Sequence, residues 1–195
     1  AALDNDSRGA TLVTTLVTHP LVPYTIGKVW GLPPRVIACG LFVSLVPDAD
    51  VLLEALIPGL PHAFAHRGAT HSIAFAMLMA LLILPFTANG ARVTPSDRLR
   101  VWIYLTICGV SHGALDAITH FGDGVAFFWP FMDERYLFHF QPLQASPFID
   151  DFFSLWGLQV LLAEFKWIWI PCLLVLALNA YLLRARRRAS IGVGE

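Results

Sequence analysis

Five long runs of uncharged, mostly apolar residues constrain the fold of this chain more than any other feature. Ser72–Ala91 and Trp167–Leu183 approach the roughly 20 residues that a membrane-spanning helix requires. Val36–Pro47 suits half a span or a helix buried among others, and the remaining runs are Gly9–Gly27 and Val101–Leu115. Because hydrophobic residues make up 56% of the chain and charged residues 14%, a soluble fold would leave too much apolar surface in water. We predict an all-α, polytopic integral membrane protein with four to five membrane-embedded helical segments.

The expected organisation is a single membrane-embedded domain, residues 1–195. Residues 1–10 are polar and are expected to be disordered, and the aromatic segment 121–150 has few helix signals. Residues 149–166 have the mixed polarity of an amphipathic helix that lies on the membrane surface. The last transmembrane helix is predicted at residues 167–184.

Positive charge is concentrated between the apolar runs, which indicates how the chain is threaded. If the basic clusters face the cytoplasm, the positive-inside rule is obeyed throughout, and the C-terminus is cytoplasmic. From Arg100 to His112 is about 18 Å of helix, so the histidines and aspartates at the opposite helix ends are expected toward the outer face. The basic clusters are Lys28 with Arg35, Arg92 with Arg98 and Arg100, and Arg184 with Arg186, Arg187 and Arg188.

Two motifs in the first quarter of the chain carry polar residues at those helix ends. "VTHPL" places His19 in an otherwise apolar run, and "PDAD" places Asp48 and Asp50 after Pro47. Since proline cannot continue the helix, we expect both carboxylates on a turn. Taken alone, His19 also suits a hydrogen-bonded core histidine, and the two aspartates suit helix caps.

The motif "HRGATHS" separates His66 from His71 by five residues. On a continuous helix the two rings would point about 140° apart. We therefore expect a break at Gly68 and a new helix whose N-cap is Thr70, which lets the two histidines converge.

The motif "SHGALDAITH" places His112, Asp116 and His120 at a spacing of four residues, which is one face of a helix. A simple hydrogen bond along the helix would explain the same spacing. Whether His120, Asp123 or His139 joins a site is left open.

Together, four histidines and three aspartates at one depth in a membrane predict a metal centre, because such side chains are costly there without a compensating charge. Imidazole and carboxylate ligands without thiolate suit Zn²⁺, Mn²⁺ or Fe. Cys39, Cys108 and Cys172 lie inside apolar runs without CxxC spacing and suit core positions. Seven ligands exceed the four of one ion, so two or more ions are expected.

The charge of such a centre favours an anionic substrate. Three carboxylates and two Zn²⁺ leave a net charge of about +1, and Arg67 adds another positive charge. Phosphate is the anion that two-metal sites usually hold, and a metal-activated water is the expected nucleophile. Arg67 on its own would also suit a membrane-surface anchor.

The aromatic segment 121–150 is expected to cover the metal centre on the outer side. Its aromatic side chains suit either membrane-interface anchors or a lid or groove for an acyl or isoprenoid tail. Arg135 is then placed to meet a phosphate through a bidentate contact, or it is an anchor like Arg67. The aromatic residues are Phe127, Phe128, Trp129, Phe131 and Tyr136.

An early "TH", then "PDAD", "HRGATHS" and "SHGALDAITHFGDGVAFFWPF" resemble the YdjM-like family of bacterial membrane-bound metal-dependent hydrolases, over about residues 17–150. The resemblance implies a bacterial inner-membrane location, and the family is distantly similar to zinc phospholipase C and P1-type nucleases, which implies a phosphoester substrate. Two or three Zn²⁺ are expected, and the third is disfavoured because the family often has a histidine after PDxD where this chain has Val51. The implied ligands are His19, Asp48, Asp50, His66, His71, His112 and Asp116.

The leading functional prediction is a membrane-bound metal-dependent phosphoesterase that acts on a lipid-like substrate, with catalytic roles for Asp50, Arg67 and Arg135. Lipids are the expected partners, no nucleic acid is expected, and the oligomeric state is not predicted. One rival is a metal-dependent ester or amide hydrolase. The other is a metal-binding membrane protein without activity, either a transporter or a scaffold stapled by metal.

Overall fold

The structure is a computed structural model that describes residues 17–87, 94–120, 123–145 and 153–192. It is mostly helical, as the sequence predicts, and the expectation for residues 1–10 lies outside the described residues. Two single 3₁₀ turns, His62–Phe64 and Ala69–His71, precede α4. The helices are α1 Leu21–Val29, α2 Pro34–Val43, α3 Ala49–Leu56, α4 Ile73–Thr87, α5 Pro95–Ala117, α6 Leu155–Glu164 and α7 Ile170–Gly192.

The helices α1, α2, α4 and α5 run in alternating directions, so that their basic ends meet. The Arg35 Nε donates a 2.7 Å hydrogen bond to the Phe86 carbonyl at the end of α4. The Arg100 guanidinium, near the start of α5, donates to the Trp30 carbonyl at the end of α1. These contacts collect Lys28, Arg35 and Arg100 at one end of the bundle and leave the histidine and aspartate motifs at the other.

The core between these helices is built around Tyr104 on α5, which is fully buried. Its hydroxyl donates a 3.0 Å hydrogen bond to the Pro23 carbonyl on α1, which satisfies the one polar group that the ring brings into the core. Val36, Ile37 and Leu105 are buried in the same cluster. The core therefore ties α1 and α2 to α5.

Helices α4 and α5 approach each other through small residues. Ala76 and Ala80 on α4 are buried, and a Cβ added to Gly109 on α5 would lie 2.8 Å from the Ala76 Cβ. Small residues allow such close backbone approach between membrane helices. The approach fixes the spacing between the start of α4 and the end of α5.

The start of α4 differs from the sequence prediction. The helix begins at Ile73, and the Phe75 amide donates to the Ser72 Oγ at 3.0 Å, so Ser72 provides the capping oxygen. The prediction that Thr70 is the N-cap is wrong, because the Thr70 hydroxyl donates to the Asp50 carboxylate instead. The sequence predicts both Asp48 and Asp50 on a turn, but Asp50 lies in the first turn of α3.

The last helical stretch is longer than predicted. Helices α6 and α7 are joined by a π-helical turn, Phe165–Trp169, without interruption. The prediction of a separate amphipathic helix over residues 149–166 is therefore wrong for its described part, because residues 155–166 continue directly into the last helix. Within the described residues, one helix, Leu155–Ser190, is long and apolar enough to cross a membrane.

The outer surface of the helices is strongly apolar. Leu56 on α3 is 77% exposed, Leu81 on α4 is 58% exposed and Leu174 on α7 is 64% exposed. Exposed apolar surface on this scale is unfavourable in water and marks contact with a partner or with lipid. The surface therefore agrees with the membrane location that the composition predicts.

The described part of the aromatic segment, residues 123–145, packs back onto the bundle. Two short strands, β1 Thr119–His120 and β2 Leu143–Gln144, pair in parallel. Phe127 is buried in a cluster with Ala117 and Val125, so it is a core residue and does not fit the predicted role of an interface anchor. Phe131, in contrast, is 87% exposed.

Candidate metal centre

The predicted ligands converge at the end of the bundle opposite the basic residues. They come from the turn before α1, the start of α3, the loop before α4 and the last turns of α5. All of them except Asp48 are buried, and the Asp48 side chain is only 12% exposed. The side chains brought together are His19, Asp48, Asp50, His66, His71, His112 and Asp116.

The orientation of the His112 ring is fixed by a backbone hydrogen bond on the side away from the other ligands. Its Nδ1 donates a 2.7 Å hydrogen bond to the Ser44 carbonyl at the end of α2. This contact leaves Nε2 as the lone-pair nitrogen, the arrangement that metal-ligating histidines show. The His112 Nε2 faces the His71 Nε2 at 3.1 Å, so both rings offer the same nitrogen to one shared space.

Two aspartates border that space. Asp116 Oδ2 lies 3.1 Å from His71 Nε2, and Asp48 Oδ1 lies 3.2 Å from His112 Nε2. The candidate ligand atoms form two groups, and within each group all atoms lie within 4.8 Å of one another. Asp48 belongs to both. The groups are Asp48, His66, His71 and Asp116, and His19, Asp48 and His112.

Asp50 lies outside both groups, behind two of the histidines. Its Oδ1 accepts from His66 Nδ1 at 2.9 Å, and its Oδ2 lies 3.2 Å from His71 Nδ1. A carboxylate on the far ring nitrogen orients a metal-ligating histidine and raises its basicity. The structure therefore favours a positioning role for Asp50 over the predicted roles of ligand and catalytic residue.

His19 belongs to the second group, and its surroundings indicate whether the site suits a metal. It is fully buried and stacks on His112, with ring centroids 3.9 Å apart. Neither of its nitrogens has a hydrogen-bond partner among the described residues, and the same holds for His66 Nε2. Buried polar atoms are normally satisfied, so nitrogens left open toward carboxylates fit a divalent cation.

Arg67 is buried inside the site and does not lie on the surface. Its side chain is 3% exposed, and its Nη2 lies 3.8 Å from Asp116 Oδ1. This burial rules out the membrane-anchor interpretation for Arg67. Its backbone φ of 64° is uncommon for a residue other than glycine, and such conformations concentrate at functional sites.

Gly68 allows the chain to turn tightly after Arg67. A Cβ at this position would lie 2.3 Å from the Ala63 carbonyl oxygen, closer than real atoms approach. The predicted break at Gly68 is therefore present, and it lets His66 and His71 face the same space from two sides of the turn.

Arg135 holds the aromatic segment against the same loop. Its Nη1 donates to the His66 carbonyl and its Nη2 to the His62 carbonyl, each at 2.9 Å. Partial burial lowers the pKa of the guanidinium, and Asp123 counteracts this shift, but arginine stays charged in proteins. A pocket of about 170 Å³ opens beside it, lined by His62, Ala63, Ala126, Trp129, Asp133 and Arg135.

Three other predicted candidates lie away from the two ligand groups. His120 is exposed, and its Nδ1 lies 3.0 Å from the Gln141 Oε1. It does not share a helix face with His112 and Asp116, because α5 ends at Ala117. Asp123 and His139 are also exposed.

The sequence interpretation missed two buried groups near the candidate ligands, the Ser44 carbonyl and the Glu164 carboxylate. The Ser44 carbonyl is a backbone atom, so no residue type marks it. Glu164 is buried and accepts a 2.6 Å hydrogen bond from the Thr18 Oγ1. The sequence could have indicated Glu164, since it is the lone acidic residue within the apolar stretch that forms the last helix.

Comparison with known proteins agrees with a membrane location. The profile of the family described as YdjM inner membrane protein matches residues 9–189. The chain is 35% identical over 168 residues to the inner membrane protein YbcI of Escherichia coli (strain K12). The aligned region covers 84% of this chain and 95% of that protein. No solved structure is similar enough to count as a match. The chain therefore belongs to the YdjM family of membrane proteins, as its motifs indicated.

Proposed function

We propose that the chain is a metal-dependent hydrolase of the inner membrane that cleaves a phosphoester bond in a lipid-like substrate. The observation that carries the proposal is the pair of ligand groups that share Asp48, with the buried Arg67 beside them. Two such groups suit two divalent ions, with Zn²⁺ as the leading candidate from the histidine and carboxylate donors. The alternating helices are proposed to cross the membrane several times, with a cytoplasmic C-terminus and the site toward the outer face.

The nitrogen and oxygen atoms of the two ligand groups determine which metal ions could bind. His66, His71, Asp48 and Asp116 would hold one ion, and His19, His112 and Asp48 a second. When bound, divalent ions polarise a phosphoryl oxygen and provide an activated water near neutral pH.

The other residues of the site are proposed to bind the substrate and to orient the ligand side chains. Arg67, whose guanidinium lies against Asp116, adds a positive charge that favours an anionic group in the same space. Asp50 keeps His66 and His71 in position. Arg135 forms part of the pocket wall next to the His66 loop, where its remaining donors suit a phosphate or another polar part of a substrate.

A substrate panel tests the proposal. Detergent-purified protein with added Zn²⁺ is assayed on phospholipids, polyprenyl phosphates, carboxylic esters and amides, beside Asp116→Asn and the exposed control His120→Ala. We expect cleavage of a phosphoester that is lost on chelation and in Asp116→Asn and kept in His120→Ala. Cleavage of esters or amides alone would support the acyl-hydrolase rival. Tight metal binding with no cleavage in the whole panel would support a metal-stapled scaffold.

Arg67 provides a second test of the substrate class. Replacing a group that stabilises a developing negative charge typically costs about 10²–10³-fold in rate, so we expect a loss of that order in Arg67→Gln and a smaller loss in Arg67→Lys. An unchanged rate in Arg67→Gln, with intact metal content, would remove the anion-binding role.

A further inference from the structure

The final helix contributes a buried acidic residue that the proposed mechanism does not use. Glu164 ends α6 and is 1% exposed, and its Oε2 accepts a 2.6 Å hydrogen bond from the Thr18 Oγ1. Thr18 is fully buried and also accepts a 3.1 Å hydrogen bond from the Trp169 indole nitrogen. A hydroxyl has one proton to donate, so the indole contact directs that proton toward Glu164.

The π-helical turn explains how one helix makes both contacts. In an α-helix, Glu164 and Trp169 are five residues apart and would point about 140° away from each other. In the π turn, the Ile170 amide donates to the Phe165 carbonyl five residues earlier. Residues five apart are then about one turn apart and share a face. The π turn thus aims Glu164 and Trp169 at the same hydroxyl.

Thr18 directly precedes His19, one of the candidate ligands. The His19 ring nitrogens have no hydrogen-bond partner among the described residues, although metal-ligating histidines almost always have one. The ring is held by its stacking on His112 and by its backbone. The Thr18 carbonyl accepts from the Leu21 amide at 3.1 Å, so the turn before α1 begins at the residue that Glu164 holds.

We propose that Glu164 is a positioning residue of the metal centre, which acts through Thr18 to place His19 beside His112 and Asp48. This inference rests on the proposed metal binding. It predicts a role for the last helix, which contributes no candidate ligand of its own to either group. The property of Glu164 that this role requires is a side-chain oxygen that accepts the hydrogen bond from the Thr18 hydroxyl.

The test compares Co²⁺ and Zn²⁺ binding in wild type, Glu164→Ala and Glu164→Gln, with Gln159→Ala as an exposed control on the same helix. Outer partners of metal ligands typically contribute about 10–100-fold in affinity. We expect a loss of about 10-fold or more in Glu164→Ala, together with a changed Co²⁺ absorption spectrum. Glu164→Gln keeps an accepting oxygen and is expected to restore both.

A second pair of variants covers the case in which Glu164→Ala does not fold. Thr18→Ser keeps the hydroxyl, and Thr18→Val removes it at nearly the same volume. We expect wild-type metal affinity in Thr18→Ser and the weakened binding in Thr18→Val, with stability followed by thermal unfolding.

The outcomes separate this inference from the proposed function. Wild-type affinity and spectrum in both Glu164→Ala and Thr18→Val would overturn the positioning role and leave the metal centre intact. An equal loss in Glu164→Gln and Glu164→Ala would also overturn it, because hydrogen-bond acceptance would not be the property that matters. A wild-type protein that binds neither ion would overturn both this inference and the proposed function.

Discussion

In three of the four buried histidines, the partner of Nδ1 distinguishes the candidate ligands from the groups that support them. His112 has its Nδ1 on the Ser44 carbonyl, and His66 and His71 have theirs on Asp50. Each ring therefore has Nε2 left for the shared space. Asp48 and Asp50 are two residues apart in sequence, yet one borders that space and the other lies behind it.

This difference predicts distinct effects at the two aspartates. We expect Asp48→Ala to lower the number of ions bound, because Asp48 belongs to both ligand groups. We expect Asp50→Ala to retain the ions but to weaken Zn²⁺ affinity about 10–100-fold, because His66 loses its acceptor and His71 keeps only the Thr70 hydroxyl. Zn²⁺ titration against a competing chelator measures both, with the exposed His120→Ala as control. If Asp50→Ala lost as many ions as Asp48→Ala, Asp50 would be a ligand.

Residue spacing predicted part of this arrangement. The four-residue step from His112 to Asp116 and the break at Gly68 follow from helix geometry, and both are present. The supporting atoms could not be predicted, because a carbonyl such as that of Ser44 exists at every position. The N-cap assignment of Thr70 failed because Asp50, distant in sequence, competes for its hydroxyl.

At the scale of helices, the contact between α4 and α5 sets the distance between two candidate ligands. His71 precedes α4 and His112 lies on α5, three residues after Gly109, which packs on Ala76. Small residues at this contact therefore link helix packing to the 3.1 Å separation of the two Nε2 atoms.

Substitution of Gly109 by leucine tests that link. A larger side chain cannot fit without moving Ala76, and overpacking of this kind costs about 1–3 kcal/mol. We expect Gly109→Leu to lower the thermal midpoint by several degrees and to weaken metal binding, while Ala180→Leu, on an exposed position of α7, changes neither. Unchanged metal affinity in a folded Gly109→Leu protein would show that the packing of α4 on α5 does not control the site.

Element boundaries were predicted less well than element type. Charged and polar residues between 149 and 166 suggested a surface helix, but α6 continues into α7 because a π turn can be inserted without ending a helix. Apolar periodicity does not reveal such a turn. The 10-residue α2 agrees with the expectation that Val36–Pro47 forms only a short helix.

Over the whole molecule, Lys28, Arg35 and Arg100 lie at one end of the helices, and the candidate metal ligands lie at the other end. The alternating directions of α1, α2, α4 and α5 produce this polarity, and the sequence predicted it from the positions of lysine and arginine alone. Arg100 and Arg35 meet the ends of neighbouring helices, whereas His71 and His112 meet at the far end. The proposed orientation puts the basic end in the cytoplasm.

Cysteine accessibility tests this orientation. After replacement of Cys39, Cys108 and Cys172 by alanine, single cysteines are introduced as Phe131→Cys and Arg188→Cys, both at exposed positions. We expect a membrane-impermeant maleimide to label position 131 in intact spheroplasts and position 188 only after permeabilisation. Labelling of position 188 in intact spheroplasts would reverse the proposed topology.

Metal binding by the buried histidines and aspartates is tested by measuring the metal content per chain. Detergent-purified wild type is measured by inductively coupled plasma mass spectrometry beside His71→Ala, Asp116→Ala and the exposed control His120→Ala. The two ligand groups predict about two divalent ions in the wild type, a clear reduction in His71→Ala and Asp116→Ala, and no change in His120→Ala. A wild type that retains no metal after loading with Zn²⁺, or metal content unchanged in both ligand variants, would show that these side chains do not form a metal centre.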